Sequence, residues 1–241
     1  MAIYERFLDG VPWYLARHYW WAYLWKRSIW FFDHQPIINA ILFGQYQKLM
    51  DATLARYQPK SGERTLQLTC VYGKLTPSLA RQSTHGLHIM DASPDQLALA
   101  RRKCVDIPIC AARMNAEHLA YADDVFDHVI LFFLLHEMPP NARENTLSEM
   151  LRIIRPGGRF LVTEYGSLPA RHWLYRCVPF RWTLERLEPF LPGFWHENLD
   201  EKLREAAAIF GKYIQRVEPS ASIFSGFYRV VEYQVLSDEQ A

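Results

Sequence analysis

Short apolar runs alternate with amphipathic stretches over the last three quarters of the chain. The apolar runs predict five strands, at about 65–71, 86–90, 107–113, 127–133 and 159–165. The stretches between them predict helices at about 75–83, 94–103 and 141–154, the last one broken by R-P-G-G at 155–158. Segments 213–219 and 227–236 predict a closing antiparallel pair. This order predicts an α/β fold with a doubly wound, Rossmann-like, mostly parallel seven-stranded sheet and a terminal antiparallel strand.

The N-terminal part has a different pattern, because aromatic residues crowd residues 13–32. They are Trp13, Tyr14, Tyr19, Trp20, Trp21, Tyr23, Trp25, Trp30, Phe31 and Phe32, with Arg17, His18, Lys26 and Arg27 among them. We expect one or two short helices here and another over about 37–57, so that residues 1–58 form a helical extension and 59–241 a catalytic domain. Two interpretations stay open: a segment that docks on a membrane or covers a lipid substrate, or a plain cover over the catalytic domain.

Composition narrows the possible partners. The 241 residues carry a net charge of about +1, and no basic run or stripe occurs, which argues against nucleic acid as a partner. The four cysteines lack CxxC spacing, so we expect free thiols rather than a zinc site or a disulfide framework. Early charges at Glu5, Arg6 and Asp9 argue against a cleaved signal. Residues 29–44 are too short and too polar to cross a bilayer.

Candidate chemistry lies where the predicted strands end. Residues 65–76 read as a strand, a turn and a helix start, as in the first unit of a nucleotide-binding sheet, but Gly73 is the only glycine of the turn. Asp91 closes the second strand, 18 positions later, where a carboxylate can accept hydrogen bonds from a ribose diol. His136 and Glu137 follow the fourth strand, and an imidazole beside a carboxylate can relay a proton or hold a metal.

Together these motifs resemble class I S-adenosylmethionine-dependent methyltransferases over roughly residues 60–236, and in particular the quinone and menaquinone methyltransferases. In those enzymes the first loop has the form G-G-T-G-D-L-T, which matches C-V-Y-G-K-L-T at 70–76. The resemblance implies S-adenosylmethionine as cofactor. It implies cofactor contacts from Val71, Tyr72, Gly73, Thr76, Asp91, Ala92, Asn115, Ala116 and Phe133.

A narrower resemblance extends into the aromatic N-terminus. V-Y-G-x-L-T at 71–76, L-F-F-L-L-H-E at 131–137 and Y-L-x-x-x-Y-W-W-A-Y at 14–23 look like the rhodoquinone biosynthesis family RquA. That family implies conversion of the membrane quinone ubiquinone to rhodoquinone, with a ring methoxy group replaced by an amino group. It implies S-adenosylmethionine as the amino donor, with manganese (Mn2+) as an aid. It also implies a cytoplasmic protein, peripheral on the inner face of the respiratory membrane.

Three residues are expected to carry the chemistry. Tyr72 would shift the methionine part of the cofactor, so that its amino nitrogen faces the quinone. His136 would donate a proton to the leaving methanol, with Glu137 beside it. Spacing leaves the metal ligands unassigned, and His136, Glu137 and Asp91 are the candidates.

Two other functions stay open. One is a conventional S-adenosylmethionine-dependent methyltransferase that acts on a quinol or another apolar acceptor. The other is a non-catalytic subunit that binds cofactor and lipid. Residues after the fifth strand are expected to contact substrate, namely Tyr165, His172, Trp173, Tyr175 and Arg176. The arginines Arg171, Arg176, Arg181 and Arg186 are interpreted as a solvated face rather than as a headgroup site.

Overall fold

A computed structural model describes residues 10–167 and 172–237. The expectations for Glu5, Arg6, Asp9 and Arg171 therefore lie outside the described residues. The chain forms one seven-stranded sheet of order β3-β2-β1-β4-β5-β7-β6. The strands are β1 Thr65–Leu68, β2 Leu87–Asp91, β3 Ile109–Arg113, β4 Phe126–Phe132, β5 Ile154–Tyr165, β6 Lys212–Ile223 and β7 Tyr228–Ser237.

The sheet runs parallel from β3 to β5, and β7 pairs antiparallel with both β5 and β6. Every residue of β1 and β4 is buried, as expected for central strands covered on both faces. The predicted fold class is confirmed, including the antiparallel strand near the end of the chain.

Besides a short 3-10 helix at Leu135–Glu137, twelve α-helices are present in the described residues. They are α1 Trp13–His18, α2 Trp20–Tyr23, α3 Lys26–Phe32, α4 Gln35–Ile41, α5 Tyr46–Arg56, α6 Leu75–Gln82, α7 Pro94–Lys103, α8 Pro140–Ile153, α9 Trp173–Arg176, α10 Val178–Leu187, α11 Leu191–His196 and α12 Leu199–Ala208. The aromatic segment thus forms three short helices, where one or two were expected. The helix expected over 37–57 is interrupted between α4 and α5, where Phe43 and Gly44 both adopt positive φ.

The R-P-G-G segment differs from its prediction as well. It does not separate helix from strand, because β5 begins at Ile154 and runs through residues 155–158. The register against β4 shifts there: Ile154 pairs with Phe126, but Arg159 already pairs with His128. Gly157 takes a φ of +84°. The segment is therefore a bulge within the strand, the kind of irregularity that glycine permits.

Residues 12–46, which we call the roof, lie over the carboxyl ends of the parallel strands. Tyr14, Tyr19 and Ile29 bury their side chains in this arrangement, and α3 packs against α7. The roof and the sheet line one cavity, described below. The division at residue 58 therefore stays a prediction. Among the described residues, no helix combines the length and the apolar character needed to cross a bilayer.

Candidate functional site

A cavity of about 210 Å³ lies between the roof and the carboxyl ends of β1, β2 and β4. Nine of the expected cofactor-binding and catalytic residues line it: Val71, Tyr72, Asp91, Ala92, Asn115, Ala116, Phe133, His136 and Glu137. Of the expected substrate contacts, Tyr165 lines it as well, whereas His172, Trp173, Tyr175 and Arg176 do not. Gly73 and Thr76 do not line it. Thr76 is fully buried within α6, and Gly73 faces the roof. The carboxyl edge of an open α/β sheet is where ligands bind, which favours this cavity as the site.

Asp91 is held by backbone amides from two loops. The Cys70 amide donates to one carboxylate oxygen at 3.0 Å, and the Ser93 amide donates to the other at 2.7 Å. Ser93, rather than Asp91, caps α7 through its hydroxyl. Burial raises the pKa of Asp91 to about 7, although the amide hydrogen bonds favour its ionised form. The fixed carboxylate keeps lone pairs free for the hydroxyls of a ribose.

The loop after β1 is bound from outside by side chains that lie elsewhere in the sequence. The Gly73 amide donates to Asp33 at 2.8 Å, and the Lys74 amide donates to the Tyr46 hydroxyl at 2.7 Å. Lys103 forms an ion pair with Asp33 and donates to the Gly73 carbonyl. In nucleotide-binding folds such loop amides usually face the ligand. Here the Gly73 amide is bound to the carboxylate of Asp33, and the Lys74 amide is bound to the hydroxyl of Tyr46.

Gly73 shows why this loop keeps one glycine. Its φ is +80°, and a Cβ atom there would run into the ring of Tyr46. The steric constraint comes from the contact with the roof, whereas the positive φ belongs to the loop backbone, and both disfavour any other residue. The single glycine is therefore explained by packing as well as by ligand approach.

Tyr72 is fixed mainly by the roof. Its hydroxyl donates to the Ala22 carbonyl, and its ring stacks on Tyr23 with the centroids 5.8 Å apart. Phe32 lies against the same ring. Tyr72 also lines the cavity, so the expected contact with the cofactor remains available. The same side chain thus anchors the roof and narrows the cavity.

His136 is paired with a buried carboxylate that the motifs did not reveal. Glu164, at the end of β5, accepts from His136 Nδ1 at 2.9 Å and from the amides of Leu135 and Tyr165. Burial alone would lower the pKa of His136, but the charge of Glu164 and its hydrogen bond raise it to about 9. This pairing orients the ring and leaves Nε2 directed to other partners.

Two further carboxylates lie close to His136 Nε2. Glu188, which follows α10, places an oxygen 3.8 Å from Nε2. Ligand atoms of His136, Glu137 and Glu188 all lie within 4.8 Å of one another. Burial raises the pKa of Glu137 and of Glu188. The roof completes this group, because Tyr23 donates to Glu137 and Tyr19 donates to Glu188 at 2.9 Å.

The group could hold a divalent cation. One imidazole nitrogen and two carboxylates are suitable ligands, and the carboxylate on Nδ1 is the outer partner that metal-bound histidines usually have. Asp91 lies apart from this group, since backbone amides of the cofactor loops hold both of its oxygens. Of the three metal candidates from the sequence, only His136 and Glu137 come together, and Glu188 joins them.

Sequence reasoning missed Glu164, Glu188, Tyr19 and Tyr23 as members of the site. A signal for Glu164 existed, because a carboxylate inside the apolar run F-L-V-T-E-Y is expensive to bury without a partner. Glu188 carried no such signal, since it lies in a proline-rich and irregular stretch. The two tyrosines were noted only as members of the aromatic segment.

Comparisons with known proteins agree with this architecture. Residues 65–158 match the methyltransferase domain family. Demethylmenaquinone methyltransferase of Lactiplantibacillus plantarum is 30% identical over 191 residues, which are 76% of this chain and 78% of that enzyme. The chain belongs to the S-adenosylmethionine-dependent methyltransferase family that includes this enzyme. A second member is the ubiquinone/menaquinone biosynthesis C-methyltransferase of Cupriavidus pinatubonensis, 26% identical over 55% of the chain. The match spans only 56% of that relative's length.

Solved structures show that the methyltransferase fold extends over most of the chain. A methyltransferase from Thermotoga maritima, described as a possible histamine N-methyltransferase, gives a TM-score of 0.58 at 18% identity and covers 87% of this chain and 96% of its own. Phosphoethanolamine N-methyltransferase 2 of Haemonchus contortus, solved with S-adenosylhomocysteine, gives 0.59 at 14% identity, over 98% of this chain and 61% of its own. At these identities the likeness concerns the fold alone.

Proposed function

We propose that this protein converts ubiquinone to rhodoquinone, with S-adenosylmethionine supplying the amino group that replaces a ring methoxy group. One observation carries the proposal: the ribose end of the cofactor cavity is conventional, whereas the loop at its other end is rebuilt around Tyr72 and bound by the roof. A change confined to that loop alters which part of the donor faces the acceptor.

The cavity supports a quinone as acceptor. Apolar and aromatic side chains dominate its lining, and the few charged groups are Asp91 at the ribose end and the group of His136, Glu137 and Glu188. Two relatives are named for quinone biosynthesis. A ubiquinone substrate would place the protein on the inner face of the respiratory membrane, as the family resemblance implies.

The exchange balances without an outside oxidant. The donor supplies the amino nitrogen: a ring C–N bond forms, the ring C–O bond breaks, and the methoxy group leaves as methanol with a proton from the amine. Two electrons and two protons then pass from the bond between the donor's α-carbon and the nitrogen to the quinone ring, which becomes a quinol and leaves a C=N bond. Water hydrolyses this C=N bond, so the donor leaves as a 2-oxo acid and the nitrogen stays on the ring. The product would first appear as the aminated quinol.

His136 is suited to provide the proton for the leaving methoxy oxygen. The pKa of about 9 keeps its ring protonated at neutral pH, and Glu164 holds the ring in place. Glu137 and Glu188 are suited to accept the protons that the amine releases. Tyr72 would set the position of the donor's amino group by narrowing the cavity beside it.

Glu137 and Glu188 would hold a divalent cation, for which Mn2+ is the expected choice, while His136 beside them keeps its Nε2 proton for the leaving group. Bound there, the cation would polarise a quinone carbonyl and make the ring a better electrophile. Tyr19 and Tyr23 donate to the two carboxylates and would orient them toward it.

A second candidate is methylation of a quinol carbon. It is favoured by the relative from Lactiplantibacillus plantarum, which is 30% identical and is named a methyltransferase. It needs the sulfonium methyl, rather than the amino group, to face the acceptor, and the same cavity could hold either arrangement.

The deciding experiment uses S-adenosylmethionine labelled with 15N at the amino group, a short-chain ubiquinone or its quinol, and Mn2+. We expect a 15N-labelled aminoquinone or aminoquinol by mass spectrometry. Methylated quinol with S-adenosylhomocysteine would support the second candidate. Binding of the cofactor without any product would indicate a non-catalytic subunit and overturn both.

Two variants test the assigned roles. His136→Ala should abolish turnover while cofactor binding is kept, because Asp91 is unaffected. Tyr72→Gly should lower nitrogen transfer far more than cofactor affinity, and Tyr72→Phe should retain most of the transfer. Equal losses of transfer and affinity in Tyr72→Gly would contradict the positioning role.

A further inference from the structure

Helix α10 packs only Phe180 and Leu184 against the core, and its other apolar side chains, Val178, Trp182 and Leu187, stay exposed. All ten residues of V-P-F-R-W-T-L-E-R-L are at least partly exposed. Trp182 is 64% exposed, and Trp173 on the neighbouring α9 is 66% exposed. Side chains of this size normally seek cover. Two large exposed indoles close together in sequence therefore indicate a surface that something else covers.

The roof presents the same kind of surface. Trp13, Trp20, Trp25, Trp30 and Phe31 are each at least 46% exposed. The two surfaces belong to adjoining elements, because Trp13 contacts Phe190 shortly after α10, and Phe43 contacts Phe180 within it. We call the exposed side of the roof together with α9 and α10 the docking face.

Basic residues outnumber acidic residues on the docking face. Residues 10–45 and 172–187 hold six Arg and Lys but only two acidic residues, although the whole chain holds 27 and 26. Asp33 is one of the two acids, and Lys103 already neutralises it. Arg186 lies over the ring of Trp182 and Arg181 over Tyr175, so basic and aromatic groups are interleaved.

The cavity opens on this same face. Pro12, Leu15, Ile41 and Leu42 line it at the roof, and Ile41 is also 51% exposed, so the cavity reaches the surface there. Its mouth is apolar, whereas its inner end carries Asp91 and His136. An apolar mouth is unfavourable in contact with water and suits a hydrocarbon environment.

We propose that the docking face binds the surface of an anionic bilayer, and that an isoprenoid-tailed acceptor enters the cavity from the lipid at Ile41. The entry of the acceptor rests on the proposed function, but the binding of the bilayer does not. Indoles at the headgroup level and arginines facing anionic lipids are the two attractions that such a surface uses. The arginines of α9 and α10 thus have a headgroup role, in contrast to the solvated face expected from the sequence.

A second copy of the chain is a poorer occupant. In a symmetric dimer the same patch faces itself, so arginines would meet arginines across the interface. An anionic lipid surface offers opposite charge over its whole area. Charge complementarity therefore favours the bilayer.

Vesicle co-sedimentation of the full chain tests this assignment. We expect binding to phosphatidylcholine vesicles that contain 30% phosphatidylglycerol, and about tenfold or more weaker binding to phosphatidylcholine alone. Arg181→Gln with Arg186→Gln should weaken binding to the anionic vesicles about thirtyfold, at about 1 kcal/mol per arginine. Trp182→Ser should weaken it even at high salt.

Matched controls lie on α12, which packs against α8 and β6. Ile209, just after it, is 70% exposed, and Arg204 is exposed. Ile209→Ser and Arg204→Gln should leave vesicle binding unchanged. Equal losses in these controls, or wild-type binding in both docking-face variants, would overturn the proposal. So would a concentration-dependent dimer that the docking-face variants abolish.

The assay also separates this proposal from the proposed function. The docking-face variants should keep wild-type turnover on a water-soluble, tail-less quinone but lose turnover on a long-tailed quinone embedded in vesicles. If no quinone is modified but anionic vesicles are still bound, the proposed chemistry fails and the docking face stands. If both quinones react equally in the variants, the docking face fails and the chemistry stands.

Discussion

The two ends of the cavity are held in place by different parts of the chain. At the ribose end, Asp91 is fixed by the amides of Cys70 and Ser93, all within one β-α-β unit. At the loop end, the amides of Gly73 and Lys74 are bound by Asp33 and Tyr46, which lie 40 and 28 positions earlier in the chain. The first end can form as soon as the sheet forms, whereas the second requires the roof to dock.

We expect this difference to let the protein keep its affinity for the cofactor while the reaction that the cofactor undergoes changes. Under the proposed function the ribose end would provide affinity for the cofactor through Asp91. The loop end depends on an extension that can change without disturbing the sheet. A family that keeps one end and rebuilds the other can change its chemistry while it keeps its cofactor.

The largest expected effect is at the ribose end. Asp91→Asn should weaken S-adenosylhomocysteine binding about 100-fold, because hydrogen bonds to a charged partner contribute about 1.5–3 kcal/mol each. Isothermal titration calorimetry measures this, and Glu117→Gln serves as a control, because Glu117 follows the cavity residue Ala116 but does not itself line the cavity. A loss of affinity below about threefold would show that Asp91 is not the main source of cofactor affinity.

Gly73→Ala should damage the loop end and spare the ribose end. The side chain would be strained at a φ of +80° and would collide with Tyr46, so we expect a loss of about 2 kcal/mol in unfolding free energy. Chemical denaturation measures the loss. Gly44→Ala is the control, since its φ is also positive but no atom lies within 4 Å of the added Cβ. Equal losses would mean that backbone strain alone, and not the roof contact, constrains Gly73.

The affinity for S-adenosylhomocysteine should rise about tenfold between pH 6 and pH 8. The free protein's Asp91 has a pKa of about 7, and ribose hydroxyls donate to its ionised form, so protonation at low pH competes with binding. The pH dependence of folding stability has the opposite sign, because a carboxyl pKa that is raised in the folded protein stabilises the folded state at low pH. This stabilisation is lost as the pH rises from the pKa of Asp91 in the unfolded chain through its folded pKa of about 7. Calorimetry across this range in Asp91→Asn should give a flat profile.

Asp33→Asn is expected to give the smallest change in affinity, within a few-fold. It removes the charge that pairs with Lys103 but keeps an oxygen for the Gly73 amide. Under the proposed function the ratio of aminated to methylated product should nevertheless change, because the loop end would govern which donor atom faces the acceptor. Asp51→Asn, on the exposed side of α5, is the control. An unchanged product ratio would remove Asp33 from the positioning of the loop.

The same division explains how much could be predicted from the sequence. The strands, Asp91 and His136 follow from local apolar patterns and from the rule that parallel strands present their carboxyl ends at one edge. Glu188 and the contacts of Asp33 and Tyr46 depend on how distant segments dock, and no local pattern records that. The break at Phe43 and Gly44 was missed because a helical apolar pattern continues across it.

The roof and the segment after β5 also contain all of the tryptophans. All eight tryptophans lie at 13, 20, 21, 25, 30, 173, 182 and 195, and none lies in the residues that build β1 to β5. Intrinsic tryptophan fluorescence of this protein therefore reports on the roof and on the segment after β5, while circular dichroism reports on the helices and the sheet. A titration with lipid or cofactor that shifts the emission and leaves the far-ultraviolet spectrum unchanged would record a movement of the roof over an intact sheet.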